Sequence, residues 1–264
     1  MDLTEQALKD RLGGIPGGWN ARFFPALAST NETAFQLGRE GAPDRTAVFA
    51  DSQSRGRGRM KRVWQSPPAR NLYVSLLLRP PLAAEELSSF PLVAGVAAAR
   101  ALLPHAGKGS VRLKWPNDVL LRGRKAAGIL AEMRTRKKRV DFVVVGIGIN
   151  VNMETADFDP AIRDKAISVR EVTGWRLSRL ELAVDLLRAF EGCYERFLRE
   201  GFRSLREEWL GSTDMVGQRV RVSLENDVCC GIAETIDRDG ALVIRDEQGL
   251  MRRMTIGDAT VLKD

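Results

Sequence analysis

The chain has 264 residues, 44% of them hydrophobic, and its 41 Lys+Arg against 34 Asp+Glu give a formal net charge of +7. That length and apolar share suffice for one large domain, or a large and a small one, and exclude a disordered or fibrous chain. No run reaches the ~18 apolar residues of a membrane span, and Met1-Asp2-Leu3-Thr4-Glu5 lacks the basic-then-apolar order of a signal peptide, so a cytoplasmic protein with no membrane partner is expected.

In chain order, Thr4 to Leu12 predicts a short helix, broken by the glycines and proline of residues 13–18 before Arg22 to Leu27 enters as a strand. Ser29-Thr30-Asn31-Glu32 has the spacing of a capping box opening a second helix. Ala47 to Ala50 and Leu72 to Leu78 predict strands, and Ser89 and Pro91 fit the cap and first turn of an Ala-rich helix reaching about Leu103. His105, the one histidine, falls in a polar turn after that helix, which leaves a Ser-His-Asp triad or a His-ligated metal with little support. Strands are predicted at Val111 to Trp115, Val119 to Leu121, Ala126 to Met133 and Val140 to Ile149, with turns at Arg122 to Lys125 and Thr135 to Lys138; links so short require antiparallel pairing.

A loop from about Met153 to Lys165, a capped turn at Ser168 to Glu171 and helices at Ser178 to Arg199 and Gly201 to Leu210 come next. From Val216 the text changes to short β runs, Arg219 to Leu224, Val228 to Ile236, Leu242 to Arg245 and Met251 to Thr255, separated by Asn226-Asp227, Asp239-Gly240 and Gln248-Gly249. The boundary between an α+β domain (1–212) and a small β-barrel (213–264) is placed near Gly211 to Thr213. Cys193, Cys229 and Cys230 have neither disulfide nor metal-ligand spacing and are expected to be buried free thiols.

The chemistry concentrates in a few segments. Asp51 to Trp64 sets Arg55, Arg57, Arg59 and Arg62 around Gly56 and Gly58, so guanidinium groups and backbone N–H groups can face one phosphate or carboxylate together. Lys114-Trp115-Pro116-Asn117-Asp118 ends a strand with a cation, an aromatic, an amide and a carboxylate. Lys125-Ala126-Ala127-Gly128 adds a cation and a glycine, and Val145 to Asn152 carries Gly146 and Gly148 on one sheet face, where only a close-approaching ligand or backbone justifies them. Each feature has a plain alternative: Ser29 and Asn31 as helix caps, Lys114 and Asp118 as an ion pair, Gly146 and Gly148 as a bulge, Trp64 and Trp115 as core.

Together, and in this order, GRGR with a following tryptophan, KWPND, the KxxG hairpin and GIGINVN resemble the biotin–protein ligase family from about Phe23 to the C-terminus. The resemblance implies a class II aminoacyl-tRNA synthetase-like mixed sheet with helices followed by an SH3-like barrel, and a two-step activity. Biotin and ATP, with Mg²⁺, give biotinyl adenylate and pyrophosphate, and a lysine of a biotin carboxyl carrier domain of a carboxylase then takes the biotinyl group. It further implies that Ser29, Thr30, Asn31 and Gln53 bind the ureido ring, with Gly56, Arg57 and Gly58 beside it. Arg59 and Lys125 would face the reacting carboxylate and phosphate, and Trp64, Lys114, Asn117, Asp118, Gly128, Gly148 and Asn150 would serve the nucleotide. Arg55 departs from the small residue common there. A monomer or homodimer is expected. Bringing a carboxylate against an α-phosphate requires offsetting the repulsion of two anions, which a Gly/Arg loop plus a lysine can do.

Two rival readings stand beside it. A lipoate–protein ligase shares the adenylate chemistry but activates a chain without a ureido group. A basic nucleic-acid-binding module would use the arginine loop, yet that loop lacks interleaved aromatics for base stacking, so no nucleic-acid partner is expected. The arginine loop, frustrated by like charges, and the loop from Met153 are expected to be mobile until ligand orders them.

Overall fold

The computed structural model describes residues 3–107, 109–137, 139–224 and 227–262. Helix α1 (Glu5–Leu12) begins where the Thr4 hydroxyl accepts the Ala7 N–H, satisfying one of the free donors of the first turn. β1 (Asn20–Leu27) and β2 (Thr46–Gln53) pair parallel, joined by α2 (Thr30–Arg39) as the crossover. β3 (Leu72–Leu78), α3 (Phe90–Ala106), β4 (Val111–Lys114), β5 (Asp118–Leu121), β6 (Arg124–Arg136) and β7 (Arg139–Ile149) complete a seven-stranded sheet ordered β1-β2-β3-β7-β6-β5-β4. Every pairing but the first is antiparallel.

Period-two alternation then decides what each face of the sheet does. On one face Val143, Val145, Ile147 and Ile149 of β7 enter the main core with α3 and with α5 (Arg179–Glu200). On the other, Phe142 and Val144 pack with Ala34, Val48 and Leu77 beneath α2. The same row continues as Gly146 and Gly148, opposite Ser75 and Tyr73 of β3 and Leu130 and Gly128 of β6, so the packed face opens into a depression. α3 with the 3-10 turn before it (Ala84–Ala106) is apolar and long enough to cross a membrane, but most of its apolar window is buried, α3 packing between the sheet and α5 as a core helix. Its Ser89 makes no side-chain cap bond, because the 3-10 turn already leads into the helix.

Beyond β7, α4 (Val169–Thr173) starts with the expected capping box of Ser168 and Glu171, and α5 and α6 (Arg203–Gly211) follow. Strands β8 (Arg219–Ser223), β9 (Val228–Ile236), β10 (Leu242–Asp246), β11 (Met251–Met254) and β12 (Asp258–Val261) form a second, antiparallel sheet ordered β11-β10-β9-β8-β12. The small sheet sits against the rest of the chain: the Trp115 indole donates to Gly240 O at 3.0 Å, Ser88 Oγ to Asp239 O at 3.2 Å, and Arg206 Nε to Ile236 O of β9 at 2.7 Å.

Several sequence expectations need correction. β12 was not foreseen, since a four-residue Asp-Ala-Thr-Val run with one buried side chain carries little strand signal. Arg124 and Lys125 lie in β6 rather than in the turn, which narrows to Arg122-Gly123, and β6 runs on to Arg136. His105 is in the last turn of α3, 3.8 Å from Asp185 Oδ2. Cys193 is buried as expected, but Cys229 and Cys230 are half-buried. Residues 153–165 include a 3-10 turn, and Met153, Phe158 and Ala166 form a small buried cluster, so this segment is more than a polar loop. Lys138 and Asn226, assigned above to turns, lie outside the described residues.

Candidate active site

A cavity of about 490 Å³ occupies the glycine-cleared face, and of the residues that the resemblance assigns to biotin or nucleotide only Gly56 does not line it; Arg55 and Trp115 lie outside it too. One end is polar. Ser29, Thr30 and Asn31 are buried at the start of α2, yet Ser29 makes no side-chain cap bond and the capping box does not form. Instead the Thr30 N–H donates across to Gln53 Oε1 of β2 at 2.8 Å, so the sheet supplies the cap and Glu32 is left to face Arg55 and Arg57 at 3.5 and 3.9 Å. Asn31 Nδ2 donates to Glu132 Oε2 (2.9 Å) and Leu130 O (3.3 Å), while its Oδ1 accepts the Ser75 hydroxyl at 2.6 Å. Ser75 Oγ is also 2.8 Å from Thr30 Oγ1. Gly146 is required there: a Cβ on it would lie 2.0 Å from Asn31 Oδ1.

The other end is cationic. The arginine loop is closed on itself, with Trp64 N–H donating to Gly56 O and Gly58 N–H to Arg62 O. Gly56 is therefore needed for packing, not for lining: a Cβ there would lie 2.3 Å from Trp64 O. Met60 and Lys61 hold φ of 52° and 58°, a left-handed pair that costs energy in non-glycine residues. The expected charge frustration is relieved by carboxylates: Arg57 pairs with Glu132 at 2.9 Å and Arg62 with Asp258 at 2.7 Å. Arg59 is different: among the described residues it reaches neutral oxygens alone, Asn117 Oδ1 at 3.2 Å and Gly257 O at 2.9 Å, and burial lowers its pKa below the usual guanidinium value.

Lys125 is held by its backbone between Lys165 O and the Ile167 N–H, and its Nζ stands 2.6 Å from Asp118 Oδ1 and 5.5 Å from the Trp64 ring centroid. That contact is an ion pair by distance, although Asp118 Oδ1 makes no hydrogen bond by angle. Trp64 lies over the glycines, where a Cβ on Gly148 would come within 2.5 Å of its Nε1 and one on Gly128 within 3.0 Å of its Cζ3. Its indole N–H is buried without a partner. Trp115, by contrast, is core. Asn117 and Asn150 have braced amides, Asn117 Nδ2 donating to Ile129 O at 2.7 Å and Asn150 Nδ2 to Ile167 O at 3.2 Å. Lys114 lines the cavity beside them.

Sequence reasoning missed Ser66, Ser75, Glu132, Phe158 and Asp258. A serine within the otherwise apolar Leu72–Leu78 and a glutamate within Ile129-Leu130-Ala131-Glu132 were visible signals; Asp258 had none, since it arrives from the second sheet. Among the described residues no three His, Cys, Asp or Glu side chains form a metal cluster. The cavity's carboxylates are Asp118, Asp164 and Asp258, the first and last already paired with Lys125 and Arg62. Such a set suits Mg²⁺ brought in on a nucleotide's phosphates better than a resident ion caged by protein.

The mixed seven-stranded sheet and the small antiparallel sheet that follows it give this chain the fold of a biotin protein ligase of known structure. The Aquifex aeolicus biotin protein ligase in complex with biotin and ATP superposes with a TM-score of 0.78 at 28% identity, covering 93% of this chain and 99% of that one. The Biotin/lipoate A/B protein ligase family matches residues 23–150, and the Biotin protein ligase C terminal domain matches residues 216–261. The Mycobacterium tuberculosis biotin–[acetyl-CoA-carboxylase] ligase is 32% identical over 99% of this chain and 96% of its own length. The Bacillus spizizenii bifunctional ligase/repressor BirA is 35% identical over 95% of this chain and 77% of its own. The chain belongs to the biotin protein ligase family.

Proposed function

We propose that this protein activates biotin with ATP and transfers it to a lysine of a biotin carboxyl carrier domain. The observation that carries the reading is one continuous cavity with hydrogen-bonding amides and hydroxyls at one end and Arg59 and Lys125 at the other. A urea ring needs the first and a carboxylate meeting a phosphate needs the second. In the first step a biotin carboxylate oxygen attacks the α-phosphorus of ATP and the bond to pyrophosphate breaks. Lys125 and Arg59 offset the negative charge gathered there, Arg59 being available because among the described residues no carboxylate pairs with it directly. Mg²⁺ bound to the triphosphate would neutralise the leaving pyrophosphate. In the second step the carrier lysine's neutral amine attacks the acyl carbon, AMP leaves, and the amine loses a proton to give the amide. Trp64, Gly128 and Gly148 would receive the adenine, with Lys114, Asn117, Asp118 and Asn150 on the nucleotide side. The names of relatives as biotin–[acetyl-CoA-carboxylase] ligases support a carboxylase as the source of the carrier.

The test is mass spectrometry of a carrier domain incubated with the protein, biotin and Mg-ATP. One added biotinyl group is expected. ATP–pyrophosphate exchange that proceeds with lipoate and not with biotin would overturn the reading.

A further inference from the structure

The two amides at the polar end of the cavity are each held in one orientation by a residue to which no role has been given. A side-chain amide can present either its oxygen or its NH₂, and only the surrounding hydrogen bonds decide which. Asn31 places Nδ2 against Glu132 Oε2 at 2.9 Å, and Glu132, paired with Arg57 at 2.9 Å, is a carboxylate that can only accept. Its second NH₂ hydrogen is used by Leu130 O. Oδ1 of Asn31 must therefore point the other way, toward Ser75 and the bare face at Gly146.

Gln53 is fixed by a different device. The Ser66 hydroxyl donates to Trp64 O at 2.9 Å, which uses its only hydrogen, so Ser66 Oγ can only accept from Gln53 Nε2, also at 2.9 Å. Oε1 of Gln53 is thereby turned toward Thr30. Gln53 Oε1 is spent there, accepting from the Thr30 N–H at 2.8 Å with Thr30 Oγ1 at 3.1 Å, so Asn31 Oδ1 is the amide oxygen left at the polar end that Asn31, Thr30, Gln53 and Gly146 line.

We infer that Glu132 and Ser66 are positioning residues: Glu132 fixes Asn31 with Oδ1 toward the bare face, as an acceptor for an N–H of a cyclic urea, and Ser66 fixes Gln53 with Oε1 on Thr30, holding the start of α2 in place. The inference rests on the biotin reading and adds to it the reason that the site takes a urea's N–H. It also ties the polar end to the arginine loop at two points, since Glu132 holds Arg57 and Ser66 holds the backbone of Trp64.

Glu132→Gln tests it with little change in shape. Arg57 keeps the Gln Oε1, so the Gln Nε2 faces Asn31 and forces that amide to turn, bringing NH₂ against the ligand's N–H. Biotin binding measured by calorimetry without ATP should weaken by about 10- to 100-fold, the scale of a lost and mismatched hydrogen bond at a buried polar site. Adding Asn31→Asp to Glu132→Gln supplies an oxygen on both sides of residue 31, so the double variant should recover part of the loss, Leu130 O being left without its donor. A merely structural or charge-balancing role for Glu132 predicts no such rescue. Ser66→Ala, which frees Gln53 to rotate, should weaken binding by several-fold and keeps the test decisive if Glu132→Gln does not fold. Unchanged affinity in the single variants, or a double variant that binds no better than Glu132→Gln, would overturn the inference. A wild-type protein that binds no biotin would instead overturn the function on which it rests.

Discussion

Removing the Lys125 ammonium is the sharpest probe of the cationic end. Its Nζ is 2.6 Å from Asp118 Oδ1, at a site where the two side chains are 35% and 14% exposed. If Lys125 stabilises charge as the anhydride forms, Lys125→Ala should slow adenylation by roughly 10²- to 10³-fold, about 3–4 kcal/mol, as when one preorganised donor to a transition state is lost. On a turn, the substitution would change stability little. Within β6 and beside a largely buried carboxylate, the substitution should also cost about 1–3 kcal/mol, because Asp118 loses its nearest cation. Thermal melting should show that loss, and single-turnover assays well below the melting temperature separate it from chemistry. Transfer from supplied biotinyl adenylate should suffer less than its formation. Normal adenylation with impaired transfer would place Lys125 in the second step and refute the argument.

Gly148→Ala should push the Trp64 indole off the sheet, since its Cβ would lie 2.5 Å from Nε1, and should raise the KM for ATP by about 10-fold with a smaller effect on biotin binding, read from initial rates. Glu191→Ala removes the carboxylate that accepts from the Trp19 indole at 3.0 Å and Arg45 at 2.8 Å. It should cost about 3 kcal/mol, at the lower end for a broken buried pair because Asp44 and Glu195 still face Arg45, and lower Tm by several degrees with adenylation unchanged. Burial pushes the Cys193 thiol up to about 11. The stability that its neutral form contributes should be complete below the unfolded thiol's value near 9 and lost as pH rises through about 11, as denaturant titrations would show. Below that range Cys193 should be alkylated after Cys229 and Cys230.

Much of the large domain was legible because its strands are long apolar runs between strong turn formers, and because glycine in such a run marks a surface that something must approach. Gly146 and Gly148 announced the cavity, and the basic loop and Lys114 to Asp118 announced its charged end. What could not be read was pairing across space. Ser29 to Glu32 has the spacing of a capping box, but Gln53 from a neighbouring strand reaches Thr30 first. The arginine loop looked frustrated because Glu132 and Asp258 are remote in sequence. Lys125 was assigned to the turn because a two-residue connection at Arg122-Gly123, both at positive φ, is tighter than composition alone implies.

The pairing of β3 with β7, Leu72 opposite Ile149 through Leu78 opposite Val143, has a consequence for the order in which the protein can be built. β3 is made before α3, β4, β5 and β6, and through all of their synthesis one of its edges has no native partner. The helix that emerges next is the apolar α3, whose cover, α5, is made later still. A ribosome-bound chain ending near β6 thus exposes an unpaired strand edge and an uncovered apolar helix together, the two surfaces most prone to wrong association. The cavity closes later than the sheet, because its walls run from Ser29 to Asp258 and the Gly257 carbonyl that steadies Arg59 is synthesised after all seven strands of the large sheet.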